Sequence, residues 1–290
     1  MFQIVLTSPG SLAAAEGPEP GLPGPGEALV RVHRLGVCGT DLHAFAGNQP
    51  FFSYPRILGH ELGVEVLQVG AGVTDLAIGD RCAVEPYLNC GRCRACRSGK
   101  PNCCSELKVL GVHVDGGMRP FLHLPAAKLH RSGSLSFDQL ALVETVAIGA
   151  HAVERAEVAP GEVVLVLGAG PIGLGAIQLA RTTGARLIVA DVSAERLEFC
   201  RRRLGVTEVI RVDDAFKASL LNTTSGELPS VVIDATGNAG SMARTFDLAG
   251  QGATIVFVGL FQGEVTFNDP NFHRRELTLR ASRFRPGIWC

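Results

Sequence analysis

Excess charge is nearly absent from this chain: 27 Lys and Arg stand against 28 Asp and Glu, a net charge of −1. That balance argues against a surface built for nucleic acid or another polyanion. Aromatic residues make up only 6%, and they are not interleaved with basic ones as in a nucleic-acid-binding zinc ribbon. No stretch approaches the roughly 18 apolar residues a spanning helix needs, so no membrane partner is expected. The first residues, Met1 to Leu6, lack a basic region and a long apolar run. No signal peptide is therefore expected, and the expected location is cytoplasmic. A disulfide framework is missing too. Five of the nine cysteines fall between Cys90 and Cys104, and such a cluster in a reducing compartment reads as a metal site.

What is present is enough for two domains of ordinary size, with 290 residues and 46% hydrophobic content. In the first half, residues 10 to 27 are rich in Pro, Gly and Glu and read as a surface connection. Glu27 to Val37 alternates apolar and polar residues, which predicts a half-buried strand that delivers Cys38 into a loop. Further strands are predicted at Gly63 to Val69 and Arg81 to Glu85. Short strands between glycine turns suggest a partly closed β-barrel over roughly the first 130 residues.

Two clusters in this half carry chemistry. The stretch Val37-Cys38-Gly39-Thr40-Asp41-Leu42-His43 brings a thiol, a hydroxyl, a carboxylate and an imidazole close together, and Gly59-His60-Glu61 follows. Cysteine sulfur, histidine nitrogen and carboxylate oxygen are the ligands zinc takes, and a catalytic zinc keeps one position open. Either of these two stretches taken alone is equally well read as a buried thiol and surface histidines. The second cluster is Cys90, Cys93, Cys96 and Cys104, spaced C-x2-C-x2-C-x7-C. Four thiolates at such intervals can close a tetrahedron about one zinc, a structural site that adds to folding energy.

The second half alternates strands and helices. Val163 to Leu167 is an apolar run of buried parallel-strand type. Gly168, Gly170 and Gly173 follow as G-x-G-x-x-G, leading into a helical pattern. A second apolar strand, Arg186 to Ala190, ends at Asp191. Glycines there allow a tight turn and close approach to a pyrophosphate at the helix N-terminus. Asp191 is placed to accept hydrogen bonds from the adenosine ribose and to repel a 2′-phosphate, which favours NAD over NADP. The helices at Ala194 to Leu204 and Ser241 to Ala249 alternate with strands near Val209 to Val212, Ser230 to Ala235, Ala253 to Gly259 and Glu276 to Ala281. This predicts a doubly wound parallel sheet.

Taken together, these residues resemble the zinc-dependent, medium-chain alcohol and polyol dehydrogenases, over almost the whole chain. The finer likeness is to the bacterial sorbitol dehydrogenase-like and L-galactonate or L-gulonate 5-dehydrogenase-like members. It rests on stretches such as Gly47 to Arg56, Gly111 to His113, Asp115 to Gly117 and Phe272 to Glu276. The resemblance implies an α/β architecture. A GroES-like, partly open β-barrel catalytic domain occupies residues 1–140, and a Rossmann NAD-binding domain occupies 141–290. It implies two zinc ions per chain: one held by Cys38, His60 and Glu144, with Glu61 a further ligand or a residue supporting the ligands, the other by Cys90, Cys93, Cys96 and Cys104, with Cys103 a spectator. Asp41 would fix the His60 ring, Thr40 would bond the substrate oxygen and His43 would pass the proton towards solvent. Gly168, Gly170, Pro171, Ile172, Gly173, Asp191 and Arg196 would hold NAD. The implied reaction moves a hydride from a secondary alcohol, a polyol or sugar acid, to NAD. The implied assembly is a homo-oligomer formed through the nucleotide domain. The chain departs from the family pattern at Val64, where glycine is usual and Gly63 comes one place early, and at Thr145, where proline is usual. It also stops at Phe284 to Cys290, before the family's return to the catalytic domain. The alternative expectation is a truncated, catalytically impaired protein that holds NAD and zinc.

Overall fold

The chain opens on a hairpin that its composition hides. In the computed structural model, which describes residues 1–284, strand β1 (Phe2–Ser8) pairs antiparallel with β2 (Ser11–Glu16). The expectation of a plain connection over residues 10 to 27 therefore holds only after Glu16. Three alanines give β2 little strand propensity of its own; backbone pairing with β1 supplies what the side chains do not. The chain's ending, singled out above, lies past Phe284 outside the described residues.

The alternating stretch forms β3 (Glu27–Gly36), and Cys38 follows it as the N-cap of α1 (Gly39–Phe45), so a helix stands where a loop was expected. Next come β4 (Glu61–Val69), β5 (Arg81–Val84) and β6 (Tyr87–Leu88). A single-turn helix α2 (Arg94–Arg97) and strand β7 (Lys108–Val109) follow. Strands β8 (Phe121–Pro125) and β9 (Leu129–Arg131) complete a sheet of order β8-β3-β4-β5-β9, antiparallel throughout. Val30, Leu62, Val64, Val66, Cys82, Leu122 and Leu124 fill its core. Strands β6 and β7 pair apart from that sheet and bracket the cysteine lobe.

The long helix α3 (Phe137–Ala156) was not read from the sequence. The chain divides into two compact units between Glu144 and Thr145, inside this helix. The glycine offset has a physical cause in α3. A Cβ on Gly63 would lie 2.3 Å from the Phe137 carbonyl oxygen and 3.3 Å from the Ala141 nitrogen. Val64, one residue on, points to the opposite side as strand residues do and is fully buried in the core. The glycine is therefore needed at 63 in this chain.

In the second unit β10 (Val163–Leu167) leads through a glycine turn into α4 (Pro171–Ala180). Strand β11 (Arg186–Asp191), α5 (Ala194–Leu204), β12 (Glu208–Arg211) and α6 (Phe216–Thr223) continue the alternation. Then follow β13 (Val231–Asp234), α7 (Ala239–Leu248), β14 (Thr254–Phe257), α8 (Asp269–Arg274) and β15 (Thr278–Ala281). The strands are parallel in the order β12-β11-β10-β13-β14-β15. That is the doubly wound order of dinucleotide-binding domains, with its switch point beside β10. Alternate residues feed two cores: Val164, Val166 and Val189 lie on one face, Leu165, Leu167 and Ile188 on the other. No helix among the described residues is long and apolar enough to cross a membrane.

Candidate metal centres and nucleotide turn

The structure brings Cys38, His60 and Glu61 together, each offering a ligand atom within 4.8 Å of the others. Cys38 comes from the start of α1, Glu61 from the first position of β4, and His60 from the residue before it. His60 and Glu61 are buried and Cys38 is half-buried. Glu144 stands beside this trio rather than within it. It is 4% exposed, and its Oε1 accepts a hydrogen bond from the Tyr87 hydroxyl. Burial raises the Glu144 pKa, against the opposing pull of His60 and Tyr87. Burial alone would lower the His60 pKa. Hydrogen bonding to Cys38 and the charges of Glu144, Cys38 and Asp41 outweigh it and push the ring up to about 10. A thiol, an imidazole and a carboxylate gathered in one largely buried cluster are donors that suit zinc.

The other residues expected here lie on or beside α1. Asp41 does not hydrogen-bond the His60 ring. Its Oδ1 is 3.8 Å from His60 Nδ1, beyond hydrogen-bonding reach, and both atoms are buried without partners. The reason is local: Asp41 Oδ2 accepts the Cys38 N–H at 2.9 Å, which turns the carboxylate toward the first turn of α1. Thr40 is half-buried on that helix. His43 is exposed, with Nδ1 3.0 Å from Asn48 Oδ1.

The four-cysteine lobe is a second set. Cys90, Cys93, Cys96 and Cys104 each place a sulfur within 4.8 Å of the rest, while Cys103 is exposed and outside the set. Backbone N–H groups point at the sulfurs: Cys90 N–H at Cys104 Sγ (3.3 Å), Cys93 N–H at Cys90 Sγ (3.4 Å) and Glu106 N–H at Cys104 Sγ (3.4 Å). Donors of this kind stabilise thiolates. Backbone donors from Cys96 and Ser105 bring Cys93 down to about 6, and those of Arg92 and Cys93 lower Cys90. Burial and hydrogen bonding to the neighbouring Cys93 and Cys104 thiols push Cys96 up to about 11. The donor set fits a closed, four-thiolate zinc site.

In the second unit the turn after β10 is shaped by close approach. Gly168 has φ +93°, and a Cβ on Gly173 would lie 1.8 Å from the Gly168 oxygen. Gly170 caps α4 and Pro171 opens it, with Ile172 next, which leaves the first N–H groups of the helix facing the turn. These residues form a cradle that fits a pyrophosphate. Asp191, 5% exposed, closes β11 beside it. Sequence reasoning gave Asp191 to the ribose alone. The structure also uses it as a brace: Oδ2 accepts the Ala169 N–H at 2.7 Å and Oδ1 the Ser193 N–H at 2.8 Å. Each oxygen keeps a further lone pair for a ribose hydroxyl. Arg196 Nη1 lies 3.7 Å from Asp191 Oδ2 and is largely exposed.

Two groups were missed from sequence. Tyr87 holds Glu144, and its signal was only the alternation in Glu85-Pro86-Tyr87-Leu88-Asn89. Asp234, fully buried at the end of β13, accepts from the Thr236 N–H (2.9 Å), the Thr236 hydroxyl (2.7 Å) and the Ser241 hydroxyl (2.6 Å). It pins the loop that packs on Gly168, where Thr236 Cγ2 would lie 3.0 Å from an added Cβ.

Comparison with known proteins agrees with this geometry. Residues 24–134 match the family model described as alcohol dehydrogenase GroES-like domain, and residues 171–287 the one described as zinc-binding dehydrogenase. The L-galactonate-5-dehydrogenase of Escherichia coli K12 is 48% identical over 90% of this chain and 77% of that protein. A sorbitol dehydrogenase of Halalkalibacterium halodurans is 32% identical over 97% of this chain and 83% of its own length. The crystal structure of the short chain alcohol dehydrogenase RspB from Escherichia coli CFT073, complexed with NADH, superposes with a TM-score of 0.92. It is 31% identical and covers 100% of this chain and 85% of its own. None of these likenesses favours the reading as an impaired binding protein.

Proposed function

The chain belongs to the zinc-type, medium-chain alcohol and polyol dehydrogenase family, and on that premise we propose that it oxidises a secondary alcohol of a polyol or sugar acid to the ketone with NAD. In that reaction a carbon–hydrogen bond gives its hydride to NAD, the hydroxyl gives up its proton, and the carbon–oxygen single bond becomes a carbonyl. The observation that supports this reading is the buried trio Cys38, His60 and Glu61 with Glu144 beside it, in one chain with a pyrophosphate-shaped turn. The relatives named for L-galactonate and sorbitol point to a substrate with several hydroxyls.

In this proposal Cys38, His60, Glu61 and Glu144 hold one zinc, and Cys90, Cys93, Cys96 and Cys104 a second. When bound, the first zinc acts as a Lewis acid on the substrate hydroxyl, and NAD accepts the hydride. Thr40 orients the substrate oxygen by hydrogen bonding. His43, exposed and bonded to Asn48, passes the released proton to solvent. Asp41 sets the first turn of α1 and so the direction of Cys38. The turn Gly168 to Gly173 seats the NAD pyrophosphate, Asp191 takes the ribose hydroxyls and Arg196 covers them from the surface. We place residues 1–140 in the catalytic domain and 141–290 in the nucleotide domain, and the protein in the cytoplasm as a homo-oligomer. In support of an oligomer, β15 ends the nucleotide sheet with one partner strand among the described residues. Steady-state turnover with NAD across a panel of polyols and sugar acids, with metal analysis, tests the reading. Absence of turnover with every secondary alcohol in a protein holding two zincs and NAD would overturn it.

A further inference from the structure

The short segment around β6 carries Glu85, Tyr87 and Asn89, and each has a buried or half-buried partner. Glu85 is 3% exposed; it accepts from Lys128 Nζ through Oε1, and its Oε2 is 3.2 Å from His130 Nε2. Asn89 Oδ1 accepts from the same Lys128 Nζ at 2.9 Å, and Asn89 Nδ2 donates to Cys96 Sγ at 3.8 Å. Tyr87 lies between them and donates its hydroxyl to Glu144 Oε1. Lys128 thus ties Glu85, which precedes Tyr87, to Asn89, which follows it.

We propose that Tyr87 is a positioning residue for Glu144, held on both flanks by the Lys128 bridge, so that the four-cysteine lobe and the catalytic ligand set retain their metals together. The inference rests on the reading of Glu144 as a zinc ligand. A carboxylate can swing about two torsions between its backbone and its oxygens. The Tyr87 hydroxyl removes that freedom by fixing one oxygen and leaving the other available as a ligand. The energetic reason for burying Glu85 and Lys128 follows from the same arrangement. An ion pair with side chains 4% and 14% exposed is expensive to desolvate and adds little net stability. Its use is to hold a specific geometry: it fixes Asn89, whose amide meets a cysteine sulfur at the other end. Loss of the lobe's metal would free Cys96, then Asn89, then the strand on which Tyr87 sits.

The test follows zinc release with a chromophoric chelator and, separately, the absorption of the cobalt-substituted protein, in which the four-thiolate set gives the stronger sulfur-to-metal band. Tyr87→Phe keeps the ring and removes only the hydroxyl. Outer hydrogen-bonding partners of metal ligands typically change metal affinity by about 10–100-fold. Tyr87→Phe is therefore expected to release one of the two ions about tenfold faster, with the four-thiolate cobalt band unchanged. Asn89→Ala, acting from the other end, is expected to speed release of both ions. Glu144→Gln separates the two readings. If Glu144→Gln speeds release and Tyr87→Phe does not, the role of Tyr87 is overturned while Glu144 remains a ligand. If neither changes release, Glu144 is not a ligand and this inference falls with it. If Asn89→Ala frees only the four-cysteine ion, the coupling between the sets is overturned.

Discussion

The four cysteines from Cys90 to Cys104 meet within one half-exposed lobe, whereas Cys38, His60, Glu61 and Glu144 are drawn from a helix start, a strand start and the middle of a long helix, and the last three are buried. The difference is one of what each set depends on. The cysteine set is held by N–H groups from its own loop, so its geometry is settled locally and a metal bound there would close the loop. The second set exists only when β3, β4 and α3 are already packed. Its pocket concentrates charge that water would otherwise screen, which is useful for chemistry and costly for folding. One region therefore puts metal affinity into stability and the other puts fold stability into metal binding.

Breaking the second set should produce the larger effect on chemistry. Cys38→Ser is expected to lower turnover at least about a thousandfold, since Lewis-acid stabilisation is worth several kcal/mol and each 1.36 kcal/mol is tenfold. NAD titration by fluorescence should be unchanged and metal analysis should show one zinc fewer; a variant that keeps both zincs and its turnover removes Cys38 from the site. Breaking the first set should shift the cost to folding. Cys93→Ser is expected to lose the other zinc and lower the unfolding temperature by several degrees, read by calorimetry, because structural zinc binding is folding free energy. A variant that melts with wild type would show that the lobe adds no stability.

A third change sharpens the comparison by leaving both sets alone. Asp191→Ala should weaken NAD roughly ten- to a hundredfold, since hydrogen bonds to a charged group are worth about 1.5–3 kcal/mol, and should relax discrimination against NADP. Because Asp191 also braces the Ala169 and Ser193 N–H groups, NADP should weaken less than NAD without reaching wild-type NAD affinity. An unchanged ratio of the two affinities would place the ribose elsewhere. The smallest change is Gly63→Ala. Its methyl would meet the Phe137 carbonyl at 2.3 Å, and forced overpacking costs about 1–3 kcal/mol. Chemical denaturation should show that loss, with faster zinc release from the dispersed set and none from the cysteine set. Equal release from both would contradict the dependence of the dispersed set on packing.

What could be read in advance follows the same division. The cysteine lobe and the glycine turn are contiguous in the sequence, and both were legible from spacing and from the strand and helix flanking them. Cys38, His60 and Glu61 were legible as donor types, but only the pairing of β3 with β4, which aligns Gly36 with Glu61, explains their meeting. Glu144 was reached through the family resemblance, since nothing near it in sequence marks it. The strand Ser11–Glu16 was hidden because alanines signal no strand and a distant partner supplies the pairing. The bond from the Cys38 N–H to Asp41 was not foreseen, because a carboxylate three residues after an N-cap can also meet the cap's own N–H. Tyr87 was passed over because a tyrosine before a cysteine lobe looks like ordinary core until its hydroxyl is seen to have a buried carboxylate to meet.

The close contact at Gly63 has a geometric corollary. The strand touches α3 at Phe137 and Ala141, and Glu144 lies one turn beyond Ala141 on the same face of that helix. Gly63 in turn follows Glu61 by two residues along β4 and His60, just before the strand, by three. The bare backbone of one residue thus serves as a gauge block: it sets how near strand and helix lie at the point where both are about to present their donors. Mutations that thicken that spot should move strand and helix apart without touching any donor, so the spacing between the donors of β4 and of α3 would be the first thing lost.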